Sequence, residues 1–256
     1  MSNIEEDRIE IDSTVDNWFR ESLQLINSHK HTGADNLLAS VLLCAKKHVI
    51  SILLLLANNH KLPAQALLRV LCELFVKLVW SLGRPKKFSK DDIYKRFLRF
   101  DYTRVIKHEK ILLNLAKSYP NSSDINASLV KAEKSIEYYK NRRVKALPDV
   151  AEIFRQVDKA HVTKEWTEHI YPKIYQDFSG AIHSDMRILR QFVQYDKIAP
   201  YNDDVEYSID TLKLHCVSMA CDINLVIRDQ YEATGGISEQ MQKEYKSIIS
   251  KLNEGG

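Results

Sequence analysis

Glycine and proline are scarce, seven and six in 256 residues. A β-rich chain needs both at its many turns, so this scarcity excludes a loop-rich β-fold and points to long helices. Cysteine is scarce as well. Cys44, Cys72, Cys216 and Cys221 have no C-x-x-C spacing and lie in apolar helical patterns, which argues against a thiolate zinc site and for buried, reduced thiols in a cytoplasmic protein. A glycine-rich phosphate loop is missing, which excludes a P-loop nucleotidase. So is the G-x-S-x-G elbow of many serine hydrolases. No apolar run reaches the ~20 residues that span a bilayer. The most membrane-like stretch, Val49–Ala57, is preceded by Lys46, Lys47 and His48. The opening segment, MSNIEEDRIEIDS, is acidic and lacks the apolar centre of a signal peptide. Charge of one sign is also missing: 37 basic against 34 acidic residues leaves a net +3, too little to imply nucleic acid by itself.

What remains is a globular balance, 45% hydrophobic and 28% charged, in a chain long enough for one sizeable core. Residues 1–12 read as a flexible tail. Ser13-x-x-Asp16 resembles a capping box, followed by an amphipathic helix through Val15, Trp18, Phe19, Leu23 and Ile26. A long apolar helix is expected from about Ala34 to Asn58, forming a hairpin with the next. Further helices are expected from Asp91 to Ser118, Asp124 to Asn141, Pro148 to Val157 and Trp166 to His183, with Asp185–Tyr195 continuing helically. Ile209–Val226 and Met241–Leu252 complete the set. The expected architecture is all-α, a bundle of eight to ten helices with no sheet. Residues 13–233 would form a single domain, and 234–256 a C-terminal helix that docks or dimerises.

The segment Lys61–Arg84 organises the rest. It is apolar almost all round, opens with Pro63 in a first turn and stops at Gly83 and Pro85. Its polar residues Gln65, Arg69, Glu73 and Lys77 recur every four positions and so share one side of a helix. They form either a solvated stripe or a partly buried charged cluster, and perturbed charges of the second kind mark functional sites only probabilistically. A second stretch, YQDFSGAIHSDMR, places Tyr175, Ser179 and His183 at the same spacing, beside the small residues Gly180 and Ala181.

The two motifs together resemble a group of mostly bacterial helical proteins catalogued as a domain of unknown function. That group is marked by an R-x-x-x-E helix, here Arg69 and Glu73, and a Y-x-x-x-S-x-x-x-H helix, here Tyr175, Ser179 and His183. The resemblance extends over roughly residues 35–230. It implies a shared helical fold and a shared polar cluster, with no assigned activity.

Chemically the cluster suits a phosphodiester. A histidine can move a proton at neutral pH, worth ~10²–10⁴-fold in rate, and an arginine fork matches phosphate. Glu73 could orient the His183 imidazole, with Tyr175 and Ser179 as donors to a ligand oxygen. A Ser179–His183–Glu73 hydrolase triad is possible by residue type, without a recognisable oxyanion hole. The competing reading is a buried hydrogen-bonded network that fixes helix register. A weaker resemblance is to the nucleotide-binding helical domains of higher eukaryotes and prokaryotes, many of them metal-independent RNases or toxins with an Arg-x4–6-His motif. Arg155 and His161 fit that spacing but lack the polar residue that often follows the arginine, so they are not assigned as the catalytic pair.

Basic residues with interleaved aromatics, Lys95, Arg96 and Arg99 with Arg142 and Arg143, form a candidate RNA-tracking surface, or else a solvated helix face. Glu165 and His169 are one turn apart without an evident third ligand, so no metal is assigned. No cofactor is implied either. Two functions stay open. One is a metal-independent RNase-like effector of a bacterial defence or toxin system, using Arg69, Glu73, Tyr175, Ser179 and His183. The other is a non-enzymatic helical interaction or sensor module, in which Met241–Leu252 mediates a homodimer.

Overall fold

The computed structural model describes residues 2–29, 32–83, 88–148, 153, 193–194, 197–198, 208–231 and 236–254. Seven helices lie among them: α1 (Ser2–Asn27), α2 (Gly33–Ala57), α3 (Lys61–Leu82), α4 (Lys90–Ser118), α5 (Ser123–Asn141), α6 (Ile209–Arg228) and α7 (Gly236–Glu254). The class is all-α. A two-residue antiparallel ladder, β1 (Val193–Gln194) with β2 (Lys197–Ile198), pairs Val193 with Ile198 and is too short to alter it. It falls where the sequence suggested continued helix and no sheet. Among the described residues the helices number seven, against an expected eight to ten for the whole chain, and the two further helices expected from Pro148 to His183 fall almost entirely outside the described residues.

Helix starts follow local chemistry. Thr32 caps α2: its hydroxyl accepts from the Asp35 N–H, and Asp35 accepts in return from the Thr32 N–H at 2.8 Å, a full capping box. Ser89, Ser122 and Ser208 cap α4, α5 and α6. Asp91, read from sequence as a cap, sits in the first turn of α4, where a carboxylate still favours the helix dipole. The expected start at Ser13 is also displaced, because α1 runs from Ser2 through the acidic segment. Helix therefore runs through residues 2–12, where a tail was expected. At the end of α3, Gly83 takes φ 67°, and a Cβ there would collide with the Phe88 ring. The glycine is required by both backbone and space.

Helix α2 is the hub. It forms a hairpin with α3 across Asn58–His60 and also packs on α6, α1 and α4, while α7 lies on α6 and touches α1. Trp18, Phe19, Leu42, Ile52, Leu68, Leu71, Phe75, Val217 and Ile223 are the centre of one continuous core. The α4–α5 pair is an arm with a small cluster of its own, Tyr102, Ile136, Tyr139 and Val144. Three of the four cysteines (Cys72, Cys216 and Cys221) are buried free thiols, and burial pushes the Cys72 thiol up to about 12. Cys44 differs from the expectation in being exposed, because it lies on the outer side of α2.

Candidate functional site

The polar stripe of α3 forms as its spacing predicts. Gln65 is buried, Arg69 and Glu73 are partly buried, and Lys77 reaches further out. Arg69 Nη2 lies 3.3 Å from Glu73 Oε1, and Lys77 Nζ lies 3.5 Å from Glu73 Oε2. One carboxylate therefore stands between two cations on an otherwise apolar helix. The trio is graded from inside outwards: the adjacent Cys72 is buried, and the Arg69, Glu73 and Lys77 side chains are 12, 28 and 40% exposed. Tyr175, Ser179 and His183, the other expected members, lie outside the described residues, as do Arg155, His161, Glu165 and His169. Among the described residues, no three His, Cys, Asp or Glu side chains are grouped so as to hold a metal ion.

The stripe leads towards α4. Lys77 Nζ sits 5.8 Å from the Phe100 ring centre, and Phe100 meets Trp80 edge to face. Arg96 lies between the Trp80 and Phe88 rings, 4.5 and 4.0 Å from their centres, and donates to the Trp80 carbonyl near the C-terminus of α3. Arg99 stacks on Trp80 from 5.0 Å and donates to the Lys145 and Ala146 carbonyls. Burial, followed by the neighbouring Arg99 charge, pulls the Arg96 pKa below its ordinary value; burial alone does so for Arg99. Both arginines bind protein as well as forming part of the basic face. Lys95 pairs with Asp91 at 2.5 Å, and Arg142 stacks on Tyr138 at 3.7 Å. Arg143 takes a positive φ of 55° at the turn after α5.

Two charged constellations were not read from the sequence. The first surrounds Asp35, whose side chain is fully buried. Its carboxylate accepts from Thr32, from Lys90 Nζ at 2.8 Å and from the Tyr231 hydroxyl at 2.5 Å, joining α2 to the start of α4 and the end of α6. Burial alone would raise its pKa, but the hydrogen bonds from Lys90, Thr32 and Tyr231 outweigh this and hold it at about 2. Lys90 also lies 5.1 Å from the Tyr231 ring centre, and the His29 ring is equally close to it. The T-x-x-D pattern at Thr32 was a legible signal for the cap. Nothing local pointed to Lys90 or Tyr231. The second constellation is Arg228, 1% exposed, which donates to Ser22 Oγ at 2.8 Å, the Trp18 carbonyl at 3.0 Å and Glu21 at 3.1 Å. Nothing local in the sequence marked Arg228 as buried.

A family model described as a family of unknown function, DUF5677, matches residues 35–198, more than half of the chain. The matched span begins at the buried Asp35 and contains Arg69, Glu73, Tyr175, Ser179 and His183. No curated protein and no solved structure matches the chain.

Proposed function

We propose, for a chain that belongs to the DUF5677 family of unknown function, that the α3 stripe is one wall of an anion site that holds an RNA phosphodiester and supports its cleavage without a metal. The observation that carries this reading is the geometry of the stripe. Arg69 and Lys77 flank the Glu73 carboxylate at 3.3 and 3.5 Å, and the Arg69 side chain is only 12% exposed. A guanidinium fork held at a partly buried position suits a bound anion, because low dielectric strengthens the attraction. In this reading Arg69 binds the non-bridging oxygens, and Tyr175 and Ser179 donate to them. His183, oriented by Glu73, takes the proton of a ribose 2′-hydroxyl. The 2′-oxygen bonds to phosphorus and the bond to the 5′-oxygen breaks. The imidazolium returns its proton to that leaving oxygen, giving a cyclic phosphate and a 5′-hydroxyl. Lys95, Arg96, Arg99, Arg142 and Arg143 would face the flanking phosphates. An effector role in a bacterial defence or toxin system rests on the resemblance alone.

Incubation of the protein with total RNA and tRNA in the presence of a chelator tests this. The expected result is cleavage that falls ~10²-fold in His183→Ala with an unchanged thermal midpoint, and that Arg69→Lys retains better than Arg69→Ala. No cleavage by the wild-type chain, with both alanine variants destabilised, would overturn it. A second reading is favoured by the i, i+4 pairing of Glu73 with both Arg69 and Lys77 inside one helix: the stripe is a structural network in an interaction or sensor module. That reading expects Glu73→Gln to lower stability, whereas an active site expects the fold to tolerate it and cleavage to be lost.

A further inference from the structure

The α3 stripe has an inner end that its ion pairs leave unexplained. Gln65 lies one turn before Arg69 on the same side of the helix, and it is only 2% exposed. Its carboxamide nitrogen, Nε2, is buried and has no hydrogen-bond partner among the described residues. Exposure rises from Gln65 through Arg69 and Glu73 to Lys77. The stripe is therefore a polar track that leads from water into the core, with an unused donor at its closed end. A buried donor without an acceptor destabilises the folded chain, and native structures keep few of them.

We infer that Gln65 is a ligand-contacting residue of the anion site, an inference that rests on the reading of that site given above. Its Nε2–H donates to one non-bridging oxygen of the phosphate whose other oxygen the Arg69 guanidinium holds. Residues one turn apart have Cβ atoms about 5–6 Å from each other, so both side chains can address a single phosphate group. The amide selects a hydrogen-bond acceptor and the guanidinium selects an anionic one; a phosphate oxygen is both. Glu73 has a different part. Its two oxygens face Arg69 and Lys77, so it orients the fork and leaves Gln65 as the neutral donor. A second cation at the depth of Gln65 would need a carboxylate of its own, whereas a carboxamide donates without adding a buried charge. This role has a signature that a structural one lacks. A glutamine that holds the fold together loses stability when it is replaced. One kept unpaired for a ligand gains stability, because an apolar side chain of similar shape leaves no donor unsatisfied, and the gain comes with a loss of binding.

Titration calorimetry of the full chain with inorganic phosphate, beside thermal unfolding without phosphate, tests this in the wild type, Gln65→Met and Gln65→Glu. The wild type is expected to bind phosphate with a dissociation constant of about 1 mM or below. Gln65→Met is expected to raise the thermal midpoint by ~2–4 °C and the phosphate dissociation constant about 10-fold. Gln65→Glu keeps the size but sets a carboxylate where the phosphate oxygen would lie, so it is expected to abolish binding. A wild-type chain that binds no phosphate up to about 10 mM would overturn the proposal. So would a Gln65→Met chain that is less stable than the wild type and binds phosphate equally well, or undiminished binding in Gln65→Glu. RNA cleavage separates this inference from the reading beneath it. Gln65-dependent phosphate binding in a chain that cuts no RNA would keep the donor and remove the ribonuclease. Cleavage undiminished in Gln65→Met would keep the ribonuclease and remove the donor.

Discussion

Asp35→Ala is expected to cost about 3 kcal/mol of stability, read as a shift in the urea midpoint with an unchanged m-value. The substitution removes the reciprocal half of the α2 capping box, worth ~1 kcal/mol. It also leaves the Tyr231 hydroxyl half-buried without its carboxylate acceptor, at ~1–3 kcal/mol. Lys90 adds little to this cost, because its side chain is 42% exposed and water can take over its solvation. The carboxylate also sets a pH dependence. Its pKa lies at about 2 in the folded protein against an ordinary 3.8. A depressed folded pKa means that the unfolded chain binds the proton more tightly. The stabilisation, roughly 2 kcal/mol, is therefore complete above about pH 5 and is lost as pH falls through 3.8 towards 2. Asp35→Asn keeps the shape and an acceptor but cannot titrate, so it flattens that acid limb. An acid limb as steep in Asp35→Asn as in the wild type would assign the dependence to other carboxylates. Asp101, which the Tyr139 hydroxyl and Arg104 hold below the ordinary range, would be the first to examine.

Arg228→Ala has the larger expected effect, about 3–5 kcal/mol. The guanidinium is the tie between the end of α6 and the middle of α1, where it serves a side-chain hydroxyl and a backbone carbonyl at once. Truncation opens a cavity where a long side chain was fully enclosed and strips Ser22 and the Trp18 carbonyl of their donor. Glu21 contributes little to the loss, because it is half exposed and rehydrates. Arg228→Lys retains the charge but carries one compact head group that cannot reproduce the planar fork, so an intermediate cost of ~2 kcal/mol is expected. Urea unfolding followed by tryptophan fluorescence reads both variants, since Trp18 lies at the contact itself. A loss below ~1 kcal/mol in Arg228→Ala would mean that α1 is held by its apolar face alone, through Val15, Phe19 and Ile26.

These two residues mark where reading the chain fell short. Both are charges at helix ends, and a charge at a helix end normally means solvent and dipole. Asp35 was one residue inside an expected apolar helix, and Arg228 lay two residues past the expected end of another, at the last residue of the observed α6. Their burial depends on what other helices bring: Lys90, 55 positions along the chain, and Tyr231, 196 along, for Asp35; Ser22, 206 positions back, for Arg228. The Arg69–Glu73–Lys77 stripe was legible because its partners sit one turn apart in the same helix. Arg96 and Arg99 were legible as a basic pair, but not as the groups that stack on Trp80 and hold the 145–146 carbonyls, since those contacts join three separate segments.

The sequence by itself determined the class, the hairpin of α2 and α3, the course of α6 and the α3 stripe. Hydrophobic period, glycine at the end of α3 and the spacing of charges are local, and a helix forms from residues within four positions of one another. The tertiary structure alone decided which side of each helix meets the core. That choice buried Asp35 and Arg228, turned the apolar face of α7 inward and left Leu43, Ile50 and Leu54 of α2 facing water. Periodicity shows that a helix has an apolar face; only the packing of the other helices shows whether that face is covered.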